Sequence, residues 1–154
     1  MEQEKYTFID VCQQDFDGIE IPIIQRDYAQ GREKEEKKRD RFLKALLRAV
    51  NSEKGITLDF VYGSVIDKKL VPLDGQQRLT TLFLLHWYAA KRENIPAGQW
   101  EVLKKFSYAT RPSARRFCEQ LLVFVPDFDA GKHLSEQICN EAWFPMAWND
   151  DPTV

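Results

Sequence analysis

The sequence has few of the residues from which metal centres and disulfide frameworks are built. Its 154 residues include three cysteines, which are far apart and form no CxxC pair, and two histidines. Neither a zinc site nor a disulfide scaffold is expected from so few ligands, and no Ser–His–Asp spacing is present. Unpaired cysteines are typical of a reducing compartment, so we expect a cytoplasmic protein.

Long hydrophobic runs and a surplus of one charge are also missing. No apolar stretch is long enough for a bilayer, and the N-terminus MEQEKYTFID lacks a signal-peptide pattern. The net charge of −2 means that any contact with nucleic acid would depend on a local basic patch. A hydrophobic content of 44% is typical of a folded domain with a real core.

The pattern of apolar residues predicts an α+β fold. We predict strands at 19–24, 58–67, 70–74 and 101–110, and helices at 6–16, 33–51, 75–93, 111–125 and 132–142. The second and third strands would form a hairpin, and the nearly all-round apolar surface of 75–93 predicts a central, buried helix. Because the tail from 141 to 154 is rich in aromatic residues, we expect a domain at 1–130 followed by the start of a further helical segment at 131–154, belonging to a longer protein.

The stretch DGQQR joins the third predicted strand to the predicted central helix. Asp74 is placed as an N-cap, and Gln77, three residues later, would complete the analogue of a capping box. Gly75 fits a tight approach, either to a neighbouring strand or to a ligand.

Arg78 does not fit this ordinary helix start, because a cation is disfavoured at the positive end of a helix. One explanation is a bound phosphate, held by the first backbone N–H groups and by the bidentate guanidinium, with the hydroxyls of Thr80 and Thr81 on the following turn. The other is that Arg78 pairs with Asp74 or with another carboxylate.

Four stretches of the sequence resemble a known family. PLDGQQRLTTL (72–82) is similar to the signature of ParB/sulfiredoxin-like domains found at the N-terminus of GmrSD-type, modification-dependent (type IV) restriction enzymes of phage defence. The further matches, in the same order, are IPIIQRDYAQGR (21–32), LDFVYGSV (58–65) and FSYATRPSARRFCEQL (106–121). The resemblance covers most of the chain and implies a small mixed sheet with a hairpin, packed by helices.

The resemblance implies a nucleotide site at this helix start. In that superfamily a Gly-x-x-Arg motif opens a helix that faces nucleotide phosphates, and here Gly75 and Arg78 are its ends. The variable pair is Gln76 and Gln77, so the cysteine of sulfiredoxins and the acidic residue and histidine of ParB proteins are absent. The implied catalytic residues are these two glutamines, either of which would orient the attacking water, and Asp74, which would assist a magnesium ion bridging the phosphates.

The resemblance also places the segment after the first strand beside the nucleotide. Gln25 and Arg26 would contact it, Arg26 through phosphate, and Tyr28 would stack on a base or sugar. The alternative is an edge-strand loop in which Arg26 forms a surface salt bridge.

Two other groups of residues are candidates for contact with phosphate. Gly63, beside Ser64 in an apolar strand, indicates a bulge or a close backbone approach, caused by a ligand or by a packed helix. Arg111 and Arg115 share a helix face and would form, together with Arg78, a basic pocket for phosphate or for a DNA backbone. The alternative, favoured for Arg116, is a solvated helix face.

The sequence therefore predicts binding, and with it hydrolysis, of GTP, UTP, CTP or ATP, which regulates a modification-dependent DNA restriction endonuclease. The alternative is a DNA-binding or modified-base-sensing module without NTPase activity. With two histidines and no two-metal carboxylate cluster, the nuclease centre is not expected here. The resemblance implies a C-terminal helical and HNH nuclease region beyond residue 154, contact with DNA through the full-length protein, and no membrane partner.

Overall fold

Helices and strands are mixed along the chain, as predicted for an α+β fold. A computed structural model describes residues 5–22, 36–52, 54–109 and 111–151. The elements in order are α1 (Phe8–Gln13), β1 (Gly18–Ile21), α2 (Glu36–Asn51), β2 (Tyr62–Ile66), β3 (Lys69–Asp74), α3 (Gln76–Arg92), α4 (Ala97–Trp100), β4 (Phe106–Tyr108), α5 (Pro112–Val123) and α6 (Leu134–Cys139). Two 3₁₀ helices cover Glu101–Lys105 and Met146–Asp150.

The four strands form one mixed sheet in the order β2-β3-β1-β4. β2 and β3 are antiparallel, whereas β1 runs parallel to both β3 and β4. The carboxyl ends of these three parallel strands, at Ile21, Asp74 and Tyr108, therefore lie along one edge of the sheet. Ligands of open α/β sheets commonly bind outside such an edge, which makes it the first place to look for a site.

The predicted hairpin is confirmed. Asp67 and Lys68 have φ angles of 48° and 59°, so both central residues are left-handed, as in the two-residue turns that match the twist of the strands. Ile66 pairs with Lys69 directly across this turn. β2 begins at Tyr62, later than the predicted residue 58.

Helix α3 covers the sheet with one face. Leu79, Phe83 and Trp87 are buried, and the rings of Phe83 and Phe106 stack with centroids 4.6 Å apart. The predicted central, buried helix is thus buried on the face that meets the sheet, whereas Leu85 and Tyr88 on the other face are exposed. In the ranges described above, no helix is both long enough and apolar enough to cross a membrane.

Helix α2 carries an apolar stripe that it does not bury. No residue of α2 is buried, and Val50 at its end is 76% exposed. The helix is nevertheless strongly amphipathic, since its charged and apolar residues lie on different faces.

The C-terminal elements pack on α5. Pro112 occupies the first turn of that helix, where its missing N–H costs nothing. Trp143 lies with its ring centroid 6.1 Å from those of both Phe117 and Phe124, so the chain after α6 joins the same aromatic cluster. The division near residue 130 stays a prediction.

Candidate functional site

A glycine in a left-handed conformation separates β3 from α3. Gly75 has φ 90° and ψ 4°, a combination that side-chain-bearing residues rarely adopt. A Cβ atom placed on it would lie 3.0 Å from Cγ2 and 3.2 Å from Cα of Val61. The prediction of a close approach is confirmed, and the neighbour is the segment that leads into β2.

The predicted cap at Asp74 is wrong. The residue at the N-cap is Gly75, and no side chain caps the helix, so Gln77 completes no capping box. Asp74 remains in β3, paired with Tyr62 across the hairpin, and the left-handed turn at Gly75 carries the chain away before the helix begins. Its carboxylate is 76% exposed and instead lies 3.5 Å from Nη2 of Arg78.

Arg78 is held by three groups and still has one nitrogen without a partner. Its Nη2 donates to the carbonyl oxygen of Phe60, and its Nη1 lies 3.8 Å from a carboxylate oxygen of Asp59. Its Nε is buried and, within the part of the chain that the structure describes, forms no hydrogen bond. The predicted pairing with a carboxylate is thus confirmed, but both carboxylate distances exceed the roughly 2.7–2.9 Å of a tight charge-assisted hydrogen bond.

Asp59 is a neighbour of Arg78 that the sequence did not identify. It precedes β2 and lies nineteen positions before Arg78, so no helical or strand periodicity relates the two residues. A carboxylate at the start of the predicted strand 58–67 is the only signal in the sequence, and it does not indicate a partner.

Two of the predicted site residues, Gln76 and Thr80, fasten α3 to the sheet, and a third, Thr81, bonds within the helix. Nε2 of Gln76 donates to the carbonyl oxygen of Pro72 at 2.9 Å in a buried hydrogen bond. The hydroxyls of Thr80 and Tyr108 are 3.1 Å apart, and Thr81 donates to the carbonyl oxygen of Gln77 at 2.9 Å. Their roles at a phosphate stay predictions, whereas their contribution to the packing of α3 is visible.

Gly63 lies at a bulge, as predicted. The strand register shifts between Tyr62 and Gly63, and a Cβ on Gly63 would lie 2.8 Å from Cα of Pro72. The close approach is therefore to the backbone of the paired strand β3, which accounts for the glycine without a ligand or a packed helix. Ser64, next to it, pairs with Val71.

The arginines of α5 approach the same edge of the sheet. Nε of Arg115 donates to the carbonyl oxygen of Tyr108 at 3.0 Å, and its Nη2 donates to that of Ala109. Arg115 thus binds the backbone at the carboxyl end of β4, while Arg111 occupies the N-cap position of α5 and Arg116 is exposed. A pocket that these arginines share with Arg78 stays a prediction.

The remaining predictions for the site concern one segment. Gln25, Arg26 and Tyr28 lie outside the described residues. On α3 itself, Nδ1 of His86 lies 2.7 Å from the carbonyl oxygen of Leu82 in the preceding turn.

Two exposed carboxylates, Asp59 and Asp74, lie at the junction beside Arg78. Among the described residues no group of three or more His, Cys, Asp or Glu side chains is arranged to hold a metal. Asp59 and Asp74 nevertheless lie at the same guanidinium, and both are largely exposed. Mg²⁺ is commonly bound by one or two carboxylates together with substrate phosphates, so this pair suits such an ion.

Comparison with known families identifies a restriction-endonuclease domain. A family model described as the N-terminal domain of GmrSD restriction endonuclease matches residues 8–141, and the chain belongs to this family. Neither the curated proteins nor the solved structures gave a match. The family expected from the four sequence stretches is thus confirmed, and with it a role in restriction.

Proposed function

We propose that this domain binds a nucleoside triphosphate by its phosphates at the β3–α3 junction, hydrolyses it, and thereby regulates the restriction endonuclease to which it belongs. The observation that carries the proposal is the guanidinium of Arg78 in the first turn of α3. It has a buried Nε without a hydrogen-bond partner among the described residues, and its two carboxylate neighbours are loosely placed.

The start of α3 has the features of an anion site. The first backbone N–H groups of a helix have no partner within the helix and carry a partial positive charge. In α3 no side chain caps them and no acidic residue lies in the first turn. A phosphate oxygen would satisfy these groups and at the same time give the Arg78 cation a counter-charge.

Arg78 can exchange its two carboxylate partners for a phosphate at small cost. Exposed ion pairs contribute about 0–1 kcal/mol, because water competes for both charges. Asp59 and Asp74 are 91% and 76% exposed, so both pairs are of this kind. The same carboxylates would repel a bare triphosphate, and a magnesium ion between them and the phosphates removes that repulsion. Binding is therefore expected to require Mg²⁺.

Hydrolysis needs a side chain that orients water next to the phosphates. Gln76 and Gln77, both in the first turn of α3, are the candidates for that role; Gln76 is buried and donates to the carbonyl oxygen of Pro72, whereas Gln77 is half-buried. One of these glutamines would position the water, and Arg78 would stabilise the charge that develops on the phosphate.

The segment before β2 connects this site to the rest of the domain. Phe60 accepts a hydrogen bond from Arg78, and Val61 fills the space beside Gly75. A phosphate at the helix start must share Arg78 with this segment or displace it. Nucleotide binding would thus change how the segment is held, which is the kind of two-state element that regulation requires.

Isothermal titration of the whole chain with GTP, UTP, CTP and ATP, in Mg²⁺ and in EDTA, tests the proposal. At least one nucleotide should bind in Mg²⁺, and phosphate release should follow. Arg78→Gln should weaken binding about tenfold or more, because a hydrogen bond to a charged group contributes about 1.5–3 kcal/mol. Arg116→Gln, which removes an exposed arginine of α5, should change the affinity less than about twofold.

Two results would count against this function. One is the absence of binding by all four nucleotides to a chain whose circular dichroism shows it to be folded. The other is equal affinity in the Arg78→Gln and Arg116→Gln variants.

A further inference from the structure

One face of α2 carries a row of exposed cations. Lys37, Arg41, Lys44 and Arg48 follow one another at intervals of four, three and four residues, and all four are exposed. On a helix with 3.6 residues per turn they fall within about 60° of one another and span about 16 Å. We call these four residues the basic stripe.

Within the described part of the chain, the charge of the basic stripe is not compensated by acidic side chains. Helix α2 has six basic and two acidic side chains, a net charge of +4, in a chain whose net charge is −2. Both acids pair with Arg39, Glu36 at 3.2 Å and Asp40 at 3.6 Å. No residue of the basic stripe forms an ion pair with any other described residue.

The surface between these side chains is open. A groove of about 410 Å³ runs along this face, lined by the basic stripe together with Asp40 and Ala45. The short side chain of Ala45 leaves room between the longer ones. Asp40 also lines the groove, and its carboxylate lies 3.6 Å from Nε of Arg39.

The opposite face of α2 argues against a membrane as the partner. Its large apolar residues, Phe42, Leu43, Leu46, Leu47 and Val50, centre about 160° from the basic stripe on a regular helix. A helix lying on a bilayer immerses its apolar face, which here would point the basic stripe away from the lipid head groups. The stripe instead suits a partner that approaches from the solvent side and carries regularly spaced negative charge.

We propose that the basic stripe of α2 binds the phosphodiester backbone of duplex DNA, independently of base sequence, at a site separate from the β3–α3 junction. B-form DNA carries one negative charge per about 1.7 Å of axis, so a 16 Å row of cations faces several phosphates at once. Single-stranded DNA is bound with the help of aromatic side chains on which bases stack, and the stripe contains none. Contacts to phosphate position a protein on DNA without reading its sequence.

Two variants with the same loss of charge test the site. In the stripe variant Lys37, Arg41, Lys44 and Arg48 become glutamine, a good helix former that keeps α2 intact. The control variant changes four exposed cations outside α2 to glutamine, namely Lys54, Lys104, Arg116 and Lys132. Binding to a fluorescent 20-base-pair duplex is measured by anisotropy from 50 to 200 mM salt, and circular dichroism checks the helix content of both variants.

The wild-type chain should bind the duplex with a slope of log K against log [salt] that is steeper than in the stripe variant by about 3.6, since each phosphate contact contributes about 0.9. This difference in slope means that the wild-type chain should lose roughly 100-fold more affinity than the stripe variant between about 50 and 200 mM salt. The slope of the control variant should differ from that of the wild-type chain by no more than about 0.9, the contribution of one phosphate contact. Arg78→Gln should leave DNA binding unchanged, which separates this site from the proposed nucleotide site.

Three outcomes would overturn the proposal. The first is that the stripe and control variants weaken DNA binding equally. The second is that the wild-type chain does not bind the duplex at about 50 mM salt. The third is that the basic stripe binds anionic lipid vesicles in preference to DNA. None of these outcomes bears on nucleotide binding, which is measured by titration at Arg78.

Discussion

Replacing Gly75 with alanine tests the geometry on which the candidate site depends. A side chain at φ 90° costs about 1–2 kcal/mol in backbone strain. The new Cβ would also lie 3.0 Å from Cγ2 of Val61, and crowding of this kind costs about 1–3 kcal/mol. Against this stands a gain of about 0.4–1 kcal/mol from the restricted unfolded chain. The free energy of unfolding should therefore fall by about 2–4 kcal/mol, which corresponds to a decrease of about 4–16 °C in Tm for a chain of this length.

Two other glycines separate the contributions to this loss. Gly131 has φ 66° but nothing within 4 Å of a Cβ, so Gly131→Ala carries the backbone strain alone and should cost about 1 kcal/mol. Gly98, in α4, has neither a positive φ nor a close neighbour, and Gly98→Ala should be neutral or slightly stabilising. Urea unfolding followed by the fluorescence of the four tryptophans gives the free energies of unfolding.

The reasoning fails if the three variants do not follow this order. A loss at Gly75→Ala no larger than that at Gly131→Ala would mean that Val61 is not packed against the helix start. A loss no larger than that at Gly98→Ala would mean that α3 does not begin through a left-handed residue. The arrangement of Arg78 at the start of α3 would then have to be abandoned.

The remaining predictions concern the buried side chains. A double-mutant cycle of Thr80→Val and Tyr108→Phe should give a coupling energy of about 1 kcal/mol for their 3.1 Å hydrogen bond, and additive effects would show that the two hydroxyls do not interact. At pH 8 the native chain should react with a thiol reagent at Cys139 alone, because burial raises the pKa of Cys12 and of Cys118 to about 12. Immediate reaction of all three thiols would contradict the burial of these two cysteines. The same two thiols should make the free energy of unfolding fall as the pH rises from about 9 towards 12, because the unfolded chain loses their protons at a lower pH than the native chain. Urea unfolding across this pH range measures the effect. A free energy of unfolding that does not change with pH would contradict the raised pKa values.

The local features of the fold were predictable because short stretches of sequence determine them. Apolar alternation and the turn residues between β2 and β3 indicate the hairpin, and the register observed across Asp67 and Lys68 follows from a two-residue loop. Pro112 marks the first turn of α5 for an equally local reason, since its ring fits only there in a helix. Neither inference requires knowledge of what packs against these elements.

The error at Asp74 shows where local inference stops. Asp74 followed by Gln77 has the sequence of a capped helix start, and a window of five residues gives no reason to doubt it. The competing interaction is the pairing of Asp74 with Tyr62, twelve positions away, which keeps Asp74 extended and moves the helix start to Gly75. The exposed face of α3 was not predicted for a related reason. When a helix is apolar on nearly every side, its sequence does not indicate which face packs on the sheet and which face contacts solvent.

Arg78 shows how far a local anomaly leads towards a site. A cation in the first turn of a helix is unfavourable by itself, so the sequence alone predicts that a negative group must lie nearby. That group is Asp74, four positions back in the chain, together with Asp59 and the carbonyl of Phe60, whose approach depends on how the segment before β2 folds over the junction. Because both carboxylates are exposed and loosely placed, the observed pairing and the proposed phosphate binding are not exclusive explanations: the carboxylates hold Arg78 at the helix start, where under the proposed function a phosphate would replace them.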